Sequence, residues 1–81
     1  MQNEIQFMKQ EILVFFKEQN AGAGHVIQVP VFLQQRMIQW NPVHKAALDV
    51  AIQELAAEGV LHAEKEVVRL TVSGVGQVAT L

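Results

Sequence analysis

Residues that could carry chemistry are few in this sequence, and their spacing argues against most kinds of active site. His25, His44 and His62 are scattered, no carboxylates accompany them at metal-ligand spacing, and the chain has no cysteine. Since a zinc site needs three or four such ligands, we predict no metal site. Ser73 is the only serine, and no aligned His and Asp suggest a nucleophile system. We therefore expect no enzymatic activity and no cofactor.

The elements that would position these residues are organised around one helix, predicted over residues 42–58. Asn41 is a good N-cap, and Pro42 suits the first helical position because its missing N–H would have no partner there. Gly59 follows, where a left-handed residue closes a helix. At about 100° per residue, one face collects the predicted core residues. These are Leu48, Ile52 and Leu55, with His44 and Ala51 beside them.

Upstream of this helix, the spacing predicts two further helices and a short strand. The first helix should begin near the cap Asn3 and run to about Gln19. A strand is expected over residues 26–29, and Pro30 suits the start of a second helix that reaches about Met37. The first helix has an apolar face at helical spacing, made of Ile5, Met8, Ile12, Phe15 and Phe16.

Beyond Gly59 the apolar period changes from about 3.6 to 2, which predicts two strands. They cover residues 60–63 and 67–72 and are joined by Glu64-Lys65-Glu66. Val68, Leu70 and Val72 alternate onto one face. Gly74 and Gly76 each weaken a helix by about 1 kcal/mol, so residues 74–81 are expected to form an irregular tail.

The segment AIQELAAEGVL over residues 51–61 resembles the recognition helix of winged helix-turn-helix proteins and its exit into the wing, as in GntR-type regulators. This resemblance implies a mostly helical α+β fold, with three helices and a small β wing. It also implies that the third helix binds duplex DNA in a regulator of transcription. The length of 81 residues predicts a single domain over residues 1–81.

Of four positions on this helix that are compared with the basic pattern of that family, only Lys45 keeps the family's character. GntR-type proteins typically carry Ser-Arg and then two basic residues where this chain has His44, Lys45, Asp49 and Val50. Asp49 would repel phosphates, and Val50 cannot hydrogen-bond to a base edge. The whole chain has six Lys and Arg residues against eight acids, with a net charge of −2. Since cations supply most non-specific DNA affinity, we favour a protein partner over DNA.

Duplex DNA remains the alternative partner, especially for a dimer that doubles a small basic footprint. Lys65 at the predicted wing tip is flanked by Glu64 and Glu66, which weaken its field. The candidate DNA contacts are Arg36, Asn41, His44, Lys45, Lys65 and Arg69.

Two outward apolar sets support a protein partner or a homodimer. On the third helix, Val43, Ala46 and Val50 lie roughly opposite the core stripe. On the first helix, Phe7 and Val14 are seven residues apart and point away from its core face, as in a helix-to-helix seam. Alternatively, the tail or the second helix covers Phe7 and Val14.

The composition is that of a small globular domain. Hydrophobic residues make up 51% of the 81 residues and charged residues 17%, below the typical ~25%, so we expect apolar surface to remain for a partner. There is no apolar run of about 18 residues and no signal-peptide pattern at the start, so we expect no membrane partner and a cytoplasmic location.

Overall fold

The computed structural model describes residues 2–35 and 42–81, apart from the side chains of Pro42 and His44. Within these ranges, four helices and a three-stranded antiparallel sheet make a mostly helical α+β fold, as predicted. The elements in chain order are α1 (Gln2–Glu18), β1 (Val26–Gln28), α2 (Val29–Gln35), α3 (Pro42–Ala57), β2 (Leu61–Glu64), β3 (Val67–Leu70) and α4 (Val72–Ala79).

Helix α1 presents the predicted apolar face to the core, where all five of its residues are buried, together with Leu13. The helix begins at Gln2, so the predicted cap Asn3 lies within it. It ends through Asn20, whose left-handed backbone (φ 52°) is tolerated by asparagine. The Ala21 N–H then donates to the Phe16 carbonyl at 3.1 Å and satisfies a C-terminal carbonyl of the helix.

Helix α3 and its stop follow the prediction closely. Leu48, Ala51 and Leu55 are buried, while Ile52 is half-buried against the core. Gly59 has a φ of 80°, a conformation that strains other residues. The Val60 N–H therefore reaches back to the Leu55 carbonyl at 2.9 Å, and the chain leaves in extended form. The predicted cap Asn41 lies outside the described residues.

The predicted hairpin is formed by β2 and β3, which turn through Lys65 with a φ of 44°. Val68 and Leu70 are buried on one face as expected. The sheet order is β1-β3-β2, so the strand between α1 and α2 pairs with β3, with Ile27 opposite Val68. The prediction that Val72 continues this alternation is wrong, because it begins α4 and is 79% exposed.

Residues 72–79 form helix α4, so the prediction of an irregular tail over residues 74–81 is wrong. Thr71 caps α4: its Oγ1 accepts a hydrogen bond from the Gly74 N–H at 2.9 Å. The Thr71 hydroxyl also lies 2.8 Å from the Val60 carbonyl, which it can donate to. The cap therefore joins α4 to the turn that follows α3, and Val78 is buried in the core. These tertiary contacts outweigh the low helix propensity of Gly74 and Gly76.

Candidate interaction surfaces

Helix α3 exposes a surface that combines small, apolar and polar side chains. Val43 is 46% exposed and Ala46 is exposed, as predicted for an outward face. Val50 is different: it is half-buried and packs against the core. We define the α3 surface as the exposed residues Val43, Lys45, Ala46, Asp49 and Gln53.

The α3 surface carries one cation and one anion, Lys45 and Asp49, so its formal charge sums to zero. Gln53 is exposed on it but was not among the sequence-derived candidates. It lies four residues beyond Asp49, a spacing that places two side chains on the same side of a helix. The arrangement can make polar and apolar contacts, but it concentrates no positive charge.

The second predicted surface, on α1, is anchored by Phe7. Its side chain is 53% exposed, whereas Val14 is half-buried. Helix α4 packs against α1, yet Phe7 stays exposed. An aromatic ring left in water is a common anchor of protein interfaces.

Two of the candidate DNA contacts, Lys45 and Lys65, line the same groove. The groove lies between α2, α3 and the hairpin tip and has a volume of about 250 Å³. Asp49 and Glu66 also line it, so each cation there is matched by an acid. Its apolar lining consists of Val29, Pro30, Leu33 and Ile52.

Arg69 lies apart from that groove, on the outer face of the sheet. It stands on the middle strand, opposite Val26 on one side and His62 on the other. His62 Nε2 in turn lies 3.2 Å from Glu64 Oε1. The structure therefore divides the predicted footprint between two surfaces. The remaining candidates, Arg36, Asn41 and the side chain of His44, lie outside the described residues.

Two further cations are engaged in contacts within the fold. Lys9 Nζ donates to Glu54 Oε1 at 3.1 Å and to Glu58 Oε2 at 2.9 Å, which ties α1 to the end of α3. The hydrogen bond to Glu58 raises the pKa of Lys9 above its ordinary value, with a smaller contribution from Glu54. Lys17 Nζ donates to the Leu81 carbonyl at 2.6 Å. Lys9 thus stays charged but is neutralised locally.

A further groove, at the free edge of β1, has no counterpart among the sequence predictions. It has a volume of about 230 Å³ and lies between the end of α1, the strand and α2. The signal in the sequence was the short strand itself, but its position at the sheet edge depends on its pairing with β3, which is distant in sequence. The residues that line this β1-edge groove are Phe15, Gln19, Val26, Ile27, Gln28 and Val31.

Neither a metal-ligand cluster nor a membrane-spanning helix is found among the described residues. Among residues 2–35 and 42–81, no three His, Asp or Glu side chains come together in a way that could hold a metal ion. Over the same ranges, each helix is too short or too polar to cross a membrane.

These surfaces belong to a small, mostly helical α+β fold in which one strand from between the helices joins a C-terminal hairpin. No protein-family model, curated protein or solved structure matches the chain.

Proposed function

We propose that this chain is a non-enzymatic winged-helix interaction module that binds a protein partner, or a second copy of itself, through exposed apolar residues of α1 and α3. The order of elements supports the winged-helix assignment. A helix, a strand, two helices and a hairpin follow one another, and β1 pairs with β3 beside β2. In this arrangement α3 would be the recognition helix and the β2–β3 hairpin the wing.

The observation that carries the proposal is the chemistry of the α3 surface. A DNA-reading helix presents cations and hydrogen-bonding side chains to phosphates and base edges. Here the exposed residues of the helix include Val43 and Ala46, and Asp49 offsets Lys45. Exposed apolar side chains without net positive charge suit contact with a protein better than contact with phosphates. Exposed Phe7 on α1 supplies a second anchor of the same chemistry.

A second candidate function, a dimeric DNA-binding regulator of transcription, is supported by one specific observation. Lys45 of α3 and Lys65 of the hairpin tip line one groove, so a single phosphate backbone could contact both. The two acids beside them, Asp49 and Glu66, weaken this attraction. We therefore rank DNA below a protein partner.

The first test is a titration of arbitrary duplex DNA, followed by fluorescence polarisation. Because the α3 surface has no net charge, we expect a Kd weaker than about 10⁻⁴ M at physiological salt. Replacing Asp49 and Gln53 with arginine should strengthen binding by about tenfold or more, since two phosphate-binding groups are added and one acid is removed. Both positions are exposed, so the fold should tolerate the change.

The matched control adds the same charge to α1 by replacing Gln10 and Glu18, which are also exposed, with arginine. A similar gain from the control would mean that total charge, not the α3 surface, governs affinity. Micromolar binding by the parent protein that is lost on Lys45→Ala would decide for the DNA-binding regulator.

The second test is self-association through α1, measured by sedimentation equilibrium. If the exposed Phe7 ring packs against its copy, the parent protein should dimerise at high micromolar concentration, driven by apolar burial. Phe7→Glu should then be monomeric with an unchanged circular-dichroism spectrum. Gln6→Glu adds the same charge at a neighbouring exposed position and should still dimerise. A parent protein that stays monomeric would exclude the homodimer and leave a separate protein as the partner.

A further inference from the structure

The outer edge of β1 presents main-chain groups that the fold leaves unused. The His25 carbonyl accepts from the Leu70 N–H at 2.9 Å, and the Val29 N–H donates to the Glu66 carbonyl at 2.8 Å. Both bonds run towards β3. Because strand backbone groups alternate between the two edges, those of the intervening Val26 and Gln28 point the other way.

These outward groups have no partner in the part of the chain that the structure describes. No hydrogen bond involves the N–H groups of Val26 and Gln28 or the carbonyl of Val26 there. β1 is the end strand of the sheet, so no described strand covers this edge. Two donors and one acceptor therefore lie in a row that matches the spacing of an added strand.

The β1-edge groove beside these groups is uncharged, and four of its six lining residues are apolar, the other two being Gln19 and Gln28. Val26 is 42% exposed and Val31 is 39% exposed at its sides, and the Phe15 ring forms part of its wall. Exposed sheet edges are commonly protected by lysine, by inward charges or by a bulge. No Asp, Glu, Lys or Arg lines this groove. The opposite edge, β2, carries the His62–Glu64 contact and leads into charged Lys65.

We propose that the edge of β1 binds a short, extended, uncharged segment of a partner protein, which adds a fourth strand to the sheet. Main-chain hydrogen bonds to Val26 and Gln28 hold the segment, and one apolar side chain enters the groove between Phe15 and Val31. This is the general mode of β-strand addition, in which the backbone supplies affinity and a pocket supplies selectivity. The site is separate from the α1 and α3 surfaces and independent of their role.

The length of the edge favours a peptide over a second copy of this chain. β1 has three residues, whereas a stable protein interface of standard size uses roughly 20–30 residues on each side. A dimer joined by two such short edges alone would bury too little surface. A single extended peptide needs only the edge and the groove.

The probe is a set of blocked hexapeptides that alternate threonine with valine, isoleucine, leucine or phenylalanine, titrated into ¹⁵N-labelled protein. Binding should shift the amide signals of Val26 and Gln28 and slow the exchange of those two N–H groups. Peptides N-methylated at the amides that face β1 should lose this effect, because they cannot donate hydrogen bonds. If no peptide shifts these signals at millimolar concentration, the proposal is overturned.

Two variants test whether the groove contributes. Val31→Lys places a charge at its side and should weaken peptide binding by about tenfold or more. Val72→Lys makes the same change at the 79% exposed start of α4 and should leave affinity unchanged. Equal effects of the two variants would overturn the role of the groove. If the amide signals of β1 shift with rising protein concentration in the absence of peptide, the edge binds a second copy of this chain and not a peptide.

The Phe7→Glu variant should bind peptide normally. A failure of peptide binding is therefore distinguishable from a failure of self-association through α1.

Discussion

Replacing Gly74 with alanine is expected to destabilise the protein, although helix propensity predicts the opposite. Gly74 is buried within α4, and a Cβ at this position would collide with the Val60 carbonyl oxygen and approach Leu70 Cδ1 to 2.5 Å. Propensity alone favours alanine by about 1 kcal/mol in a helix interior. Because the first obstacle is backbone, which cannot rotate away, α4 must shift. Overpacking of this kind costs about 1–3 kcal/mol, so we expect a net loss.

Gly76 provides the matched control for this experiment, two residues further along the same helix. It is exposed, and an added Cβ there meets no atom within 4 Å. Gly76→Ala should therefore raise the free energy of unfolding by about 0.4–1 kcal/mol, through reduced freedom of the unfolded chain. Urea unfolding of both variants gives the comparison. If Gly74→Ala were as stabilising as Gly76→Ala, α4 would not pack against Val60. The sequence-based prediction of an irregular tail would then be correct.

Helix α4 shows what sequence reasoning lacked in this chain. On helix propensity alone, Gly74 and Gly76 predict an irregular tail. The reason for Gly74 is a tertiary contact with Val60, fourteen residues earlier, which no local pattern displays. By contrast, α1, α3 and the β2–β3 hairpin could be predicted because their apolar periods, 3.6 and 2, are local properties. Gly59 was predictable for the same reason, since a helix stop depends on its immediate neighbours.

The candidate surfaces likewise have some features that follow from local spacing and others that depend on the tertiary structure. The outward position of Phe7 and Val43 followed from helical spacing, and both are exposed. Val50 lies near Val43 in that projection but is half-buried against the core, which a helical projection alone does not reveal. Lys45 and Lys65 line the same groove because the hairpin folds back beside α3, and local sequence does not show this. The free edge of β1 likewise depends on the sheet order, which a single sequence does not encode locally.

The proposed binding surface on α3 depends above all on the orientation of this helix, and three substitutions test it. Leu55 is 2% exposed at the centre of the core, so Leu55→Ala should lower the free energy of unfolding by about 2–5 kcal/mol through lost burial and the cavity left behind. Val43 is 46% exposed, and Val43→Ala should stay within about 0.5 kcal/mol. Val50→Ala should fall between them, because Val50 is half-buried.

Denaturant unfolding of the three variants, with equal slopes, would give the ranking directly. A reversed order, with Val43→Ala costing more than Leu55→Ala, would mean that α3 is rotated about its axis. Val43 and Ala46 would then belong to the core and could not anchor a partner, and the protein-binding function would lose its main support. The expected order keeps these residues in solvent with Asp49, where a protein surface is a better complement than a phosphate backbone.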